Sequence, residues 1–188
     1  VVEPDPFRDG AFILNVNGVP SSHLIPDEPR SLEFEYMRWI AAAVENLAPG
    51  KCLLHLGGGG CSLPRYFADL WPDSHNTVVE LDAKLAKLIR ELAPIPASPR
   101  VKIRVGEARA ITEGFPPNRF DVIIRDVFAG ATTPKPLTTQ EFFQHAHATL
   151  CPGGLYAANC GDHSDLQGAK AELAGMAEVF EHVAVIAD

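Results

Sequence analysis

The run Cys52-Leu-Leu-His-Leu-Gly-Gly-Gly-Gly-Cys61, followed about twenty residues on by Val78-Val-Glu-Leu-Asp82, restricts the fold more than any other part of the chain. Apolar residues feed a strand, four glycines let the backbone turn tightly against a ligand, and an acidic side chain ends the next strand where a ribose diol would lie. Each glycine adds roughly 0.5–1 kcal/mol of folding entropy cost, so four in a row exceed what a plain turn needs. Gly57, Gly58, Gly59 and Gly60 are contiguous and do not spell the dinucleotide fingerprint G-x-G-x-x-G. The reading therefore moves from a dinucleotide to an adenosyl-sulfonium ligand such as S-adenosylmethionine.

The remaining pattern supports an α/β reading. From Lys51 onward strands and helices alternate, the signature of a Rossmann-like, methyltransferase-type, mostly parallel sheet with helices on both faces. Strands are expected at Cys52–Leu56, Thr77–Leu81, Val101–Val105, Phe120–Ile124, Leu155–Asn159 and His182–Ala187. Helices are expected at Leu63–Leu70, Ala83–Leu92, Thr139–Leu150 and Leu166–Phe180. Upstream, Asn17-Gly18 between Ala11–Val16 and Val19 predicts a tight β-hairpin. Ser31 is placed to cap a helix carrying Phe34, Met37, Ile40, Ala41 and Val44 at helical spacing, stopped by Pro49-Gly50. This divides the chain into a small N-terminal β-hairpin region, residues 1–30, and a nucleoside-binding domain, residues 31–188, in which a seventh, C-terminal strand is expected to be missing.

Charge and cysteine usage narrow the partners. Sixteen basic against twenty-four acidic residues give a net charge of −8, which repels nucleic acid and attracts a cationic substrate. Cys52, Cys61, Cys151 and Cys160 are scattered, without zinc spacing, as free thiols in a reducing compartment would be. His145 and His147 are two apart on a helix and do not share a face, so no metal is expected. His55, inside the first strand of the sheet, reads as a core residue. The proline-broken start is no signal peptide, and no apolar run approaches the ~20 residues of a membrane span. A cytoplasmic protein is expected.

Several carboxylates fall at the sheet edge where open α/β folds hold their ligands. Glu80 and Asp82 end the second strand, with Glu80 the better ribose acceptor. Gly106-Glu107-Ala108 ends the third and brings Glu107 within reach of an adenine amino group. Phe120-Asp-Val-Ile-Ile-Arg-Asp126 is a buried apolar strand ending in a carboxylate, whereas Asp121 starts it and reads as structural. Arg125 either lowers the pKa of Asp126 or is sent to the other face by strand alternation. Tyr156 and Asn159-Cys-Gly-Asp162 end the fifth strand nearby and are candidates to line the site.

Taken together, these segments resemble the spermidine synthase (polyamine aminopropyltransferase) family. The resemblance runs from Ala11 to about Asp162. It is carried by Leu32-Glu-Phe-Glu-Tyr36, Leu56-Gly-Gly-Gly59 with Arg65, Val79-Glu-Leu-Asp82, Val105-Gly-Glu107, Phe120–Asp126, Leu137-Thr-Thr-Gln-Glu-Phe-Phe143 and Leu150-Cys-Pro-Gly-Gly154. It implies a Rossmann-like domain with an N-terminal β-domain, usually dimeric or larger. It also implies transfer of an aminopropyl group from decarboxylated S-adenosylmethionine to a small-molecule amine, releasing methylthioadenosine. By the same resemblance Asp126 is the general base, Tyr36 lines the amine pocket, Glu80 holds the ribose and Glu107 the adenine.

The chain departs from the family pattern at three points. Gly60 stands where the family has an aspartate for the donor's ammonium, Ala129 where it has a second aspartate three residues beyond the base, and Met37 where a glutamine is common. Each missing charge-assisted hydrogen bond is worth about 1.5–3 kcal/mol. Loss of the carboxylate at position 60 also removes a repulsion against intact S-adenosylmethionine. A methyltransferase, or a non-catalytic nucleoside-binding or assembly module, therefore remains as an alternative.

Overall fold

A computed structural model describes residues 1–48, 50–130, 132–161 and 166–187. Its first residues build an antiparallel sheet, β1 (Val2–Pro4), β2 (Phe12–Val16) and β3 (Val19–Leu24), in that order. Asn17 and Gly18 both take positive φ, 53° and 79°, as a two-residue hairpin turn requires. Strand β1 is an addition to the sequence expectation. It is three residues long and ends on Pro4, which an edge strand tolerates because its outer N–H would face away from the ladder.

Helix α1 (Glu35–Leu47) starts later than Ser31 predicts. Its N-cap position is Phe34, which has no capping side chain, and the Ser31 hydroxyl faces the Glu33 carboxylate instead. Met37, Ile40, Ala41 and Val44 form its buried face, so Met37 is a core residue. Pro49 and Asp162 lie outside the described residues.

The main sheet comprises β4 (Cys52–Leu56), β5 (His75–Glu80), β6 (Val101–Val105), β7 (Phe120–Arg125) and β8 (Leu150–Ala158). All neighbours are parallel, in the order β6-β5-β4-β7-β8. The connecting helices are α2 (Ser62–Leu70), α3 (Ala83–Leu92), α4 (Ala108–Glu113), α5 (Gln140–Thr149) and α6 (Gln167–Ala177). Alternation along the strands divides the core in two. Leu53, Val122 and Ile124 pack against α1 and α2, while Leu54, Leu56 and Ile123 pack with Phe142, Phe143 and Met176 from α5 and α6. The small sheet adds Phe12, Leu14 and Leu24 to a third cluster with Cys61, Ala68, Val78 and Ile89.

Helix α4 is an addition to the expected helices, and two of the expected strands need correction. His182–Ala187 forms no strand, and its Val183, Val185 and Ile186 are exposed, because alternating apolar residues make a strand only where a neighbouring edge supplies hydrogen bonds. Strand β8 begins at Leu150 rather than Leu155, with a register shift that lets Cys151–Gly154 bulge past β7. Asp121 is structural as read, its carboxylate accepting from the Lys51 and Cys52 amides at 2.8 and 2.9 Å. No helix among the described residues is long and apolar enough to cross a membrane.

Candidate active site

Between β4 and β7 the strand order reverses, and there the C-terminal ends of four strands bring Gly57–Gly60, Glu80, Glu107 and Asp126 to one edge of the sheet. Gly57 has φ 93°, and a Cβ there would collide with the Asp126 carbonyl oxygen. Only glycine lets the loop leave β4 this close to the end of β7.

Every amide of the loop has a partner. Gly57 N donates to Val79 O at 2.9 Å, Gly58 and Gly59 donate to Glu80 Oε2 at 3.0 and 3.2 Å, and Gly60 donates to Ser22 Oγ at 2.9 Å. Cys61 N closes the turn on Gly58 O at 2.7 Å. A phosphate-binding loop keeps such amides pointing at its anion. This one has committed them internally, which favours a ligand without phosphates.

Glu80 Oε1 also accepts from Asp82 N at 2.8 Å. A carboxylate has about four lone-pair directions, so one remains for a ligand hydroxyl on a side chain already held from three sides. The Asp82 carboxylate caps α3 through the Lys84 and Leu85 amides. Glu107 caps α4 through Arg109 and Ala110, and Ala108 is the buried first residue of that helix. Leu81 and Val105 stand 72% and 53% exposed beside these carboxylates, an apolar surface for a flat base between polar anchors.

Asp126 is gripped on both oxygens. The Tyr36 hydroxyl donates to Oδ2 at 3.0 Å and the Asn159 amide to Oδ1 at 3.1 Å. Burial raises the Asp126 pKa; the hydrogen bonds from Asn159 and Tyr36, and more weakly the charge of Arg125, oppose that rise. Burial and the nearby carboxylate push the Tyr36 phenol up as well, so it stays a donor. Arg125 is wholly buried on the opposite face, paired with Glu172 of α6.

The sequence places Asn159 at the end of a strand near the site, as a candidate to line it, without a role. The β7–β8 register, which pairs Arg125 with Ala158, is what sets it beside Asp126. Tyr156 points instead to the α5 and α6 side, against Phe143 and Phe180. Ala129 is exposed in the loop after β7. His55 is buried and meets Asn76 at 3.0 Å. Among the described residues no group of three or more His, Cys, Asp or Glu could hold a metal ion.

No protein-family model matches the chain. A crystal structure of a probable spermidine synthase from Corynebacterium glutamicum superposes with a TM-score of 0.91 at 59% identity, over 96% of this chain and 67% of that one. The polyamine aminopropyltransferase of Vibrio vulnificus is 29% identical over 142 residues, 74% of this chain. The match spans 47% of that enzyme, so the chain covers about half the length of this curated relative. Human methyltransferase-like protein 13, solved in complex with SAH, gives a TM-score of 0.67 at 26% identity, over 78% of this chain and 73% of that one.

Proposed function

The chain belongs to the spermidine synthase, or polyamine aminopropyltransferase, family, and from that premise we propose that it transfers an aminopropyl group from decarboxylated S-adenosylmethionine to a polyamine-type amine. The observation that carries the reading is the half-buried Asp126 carboxylate, held by Tyr36 and Asn159 at the mouth of a glycine cradle whose amides are all internally bonded.

The acceptor is an ammonium with a pKa near 10, which must lose a proton before it can act as a nucleophile. A carboxylate with a raised proton affinity narrows that gap, and Asp126 has one. Asp126 takes the proton, and the freed nitrogen lone pair attacks the carbon bonded to the sulfonium. The C–N bond forms as the C–S bond breaks, and sulfur keeps the electron pair in methylthioadenosine. Glu80 accepts a ribose hydroxyl on its remaining lone pair, Glu107 accepts from the adenine amino group, and Leu81 and Val105 flank the base. A hollow of about 370 Å³ beside Tyr36, lined by Glu33, Phe34, Glu35 and Trp39, combines carboxylates with ring faces, as a cationic chain prefers. The same reading carries a cytoplasmic homo-oligomer without metal or nucleic acid.

Methyl transfer from intact S-adenosylmethionine is the second reading. It is favoured by Gly60, which offers no carboxylate to an ammonium, and by the likeness to methyltransferase-like protein 13. Calorimetric titration with decarboxylated S-adenosylmethionine, S-adenosylmethionine and methylthioadenosine separates the two. Tighter binding of the decarboxylated donor is expected; preference for the intact one transfers the assignment to methyl transfer. Binding of none of the three leaves a non-catalytic module.

A further inference from the structure

Strand β3 presents Ser22 and Leu24 on the face that carries Leu14 and Phe12 of β2, opposite them in register. The register slips between Leu14 and Asn15, where the partners change from Ser22 to Pro20 and leave Ser21 outside the ladder. A bulge of this kind re-aims the adjoining side chain, and bulges concentrate next to active sites. Here it accompanies a Ser22 side chain turned onto the glycine loop, 2% exposed. The hydroxyl has one hydrogen, donated to Ser21 O at 2.6 Å, so a lone pair faces Gly60 N at 2.9 Å.

Among the described residues no other acceptor holds that amide. Gly58 and Gly59 are tied to Glu80 of the parallel sheet, whereas Gly60 is tied to the small sheet. Cys61 at the start of α2 supplies no capping side chain, so the Ser22 acceptor reinforces a turn otherwise closed by the bond from Cys61 N to Gly58 O. The packing is equally tight: a Cβ on Gly60 would lie 2.6 Å from Ser22 Cβ and 2.7 Å from Leu24 Cδ1. The loop is clamped from both sides before any ligand arrives.

We propose that Ser22 is a positioning residue for the nucleoside cradle: its hydroxyl fixes Gly60, so that the N-terminal sheet presets the glycine loop of the main sheet. This rests on the nucleoside-binding reading above. A buried N–H left without an acceptor disfavours the preset loop, and binding must then restore it, which weakens affinity about tenfold or more.

The test compares wild type, Ser22→Ala and Ser22→Thr by calorimetric titration with methylthioadenosine and by amide exchange at Gly60 without ligand. Ser22→Ala is expected to bind about tenfold or more weakly and to exchange the Gly60 amide faster, and Ser22→Thr, which keeps the hydroxyl, to restore both. In turnover, the loss falls on KM for the adenosyl donor rather than on kcat. Equal affinity and equal Gly60 exchange in Ser22→Ala and wild type overturn the proposal. If wild type binds no nucleoside, the functional reading fails by itself, and Gly60 exchange still decides whether Ser22 holds the loop.

Discussion

Asn159 donates its side-chain amide to Oδ1 of Asp126 at 3.1 Å, on the oxygen opposite the one that Tyr36 holds. Both bonds favour the ionised carboxylate and both oppose the rise caused by burial, with Asn159 the stronger. Removing either donor therefore lifts the Asp126 pKa further. Since the proposed base must be ionised, the acid limb of the pH–kcat profile is expected to move to higher pH in Tyr36→Phe and further in Asn159→Ala. Profiles that coincide with wild type would remove both residues from the base's environment.

Replacing Asp126, the proposed base, separates catalysis from stability. The folded pKa of Asp126 lies above its ordinary 3.8, so the folded state holds that proton more firmly than the unfolded chain. Its contribution to stability is complete below 3.8 and is lost as pH rises through the folded value, leaving a buried charge as a cost at neutral pH. Asp126→Asn is expected to lower turnover by about 10²–10⁴-fold. It should also unfold at higher urea than wild type at neutral pH, an advantage that disappears in acid. Loss of stability at neutral pH would show that the carboxylate's hydrogen bonds outweigh its desolvation.

How far the sequence could be read depended on whether a feature was local. Strands β4 and β6 and helix α3 have the expected bounds, because apolar runs and the Gly57–Gly60 punctuation define them within a few residues. Asp126 was readable as the polar end of a buried strand. The nearness of Asn159 to the site is readable too, but its hydrogen bond to Asp126 is not, because their meeting depends on pairing between strands far apart in sequence. Asp82 shows two local meanings in competition: an acidic residue after a strand suggests a ribose ligand, and an acidic residue before Ala83-Lys-Leu suggests a helix cap, the task its carboxylate performs here. Ser31 erred the other way, a good cap residue four positions before the helix that forms. The Ser22 contact joins two sheets and has no signature in a single sequence.

The pair behind Asp126 yields a stability prediction. Arg125 is fully buried against Glu172, and its carbonyl accepts from Asn159 N at 2.9 Å. Truncating one member of a buried pair strands the other charge, which costs about 3–5 kcal/mol, whereas replacing both with apolar residues of similar volume can be neutral. Glu172→Ala is expected to destabilise by that amount in urea melts, and Arg125→Met combined with Glu172→Leu to recover most of it. A loss below about 1 kcal/mol in Glu172→Ala would mean that the pair is solvated in solution.

His55 supplies the opposite pH slope from Asp126. Burial lowers its pKa from 6.5 to about 4, only partly offset by the hydrogen bond with Asn76. The unfolded chain thus takes up the proton first as pH falls. Stability from the neutral, buried ring is complete above 6.5 and is lost towards about 4, on the order of 3 kcal/mol over that window. His55→Gln has no such titration, so the stability difference between wild type and variant should shrink steadily from pH 7 to 4. The Asp126→Asn difference over the same window is set by a group whose pKa moves upward, so its advantage over wild type declines as pH falls. Urea melts of the three proteins at pH 4, 5, 6 and 7 check both signs at once. A wild-type minus His55→Gln difference that stays flat would show that the unfolded chain gains no proton at this site over the folded one, and that water reaches the ring.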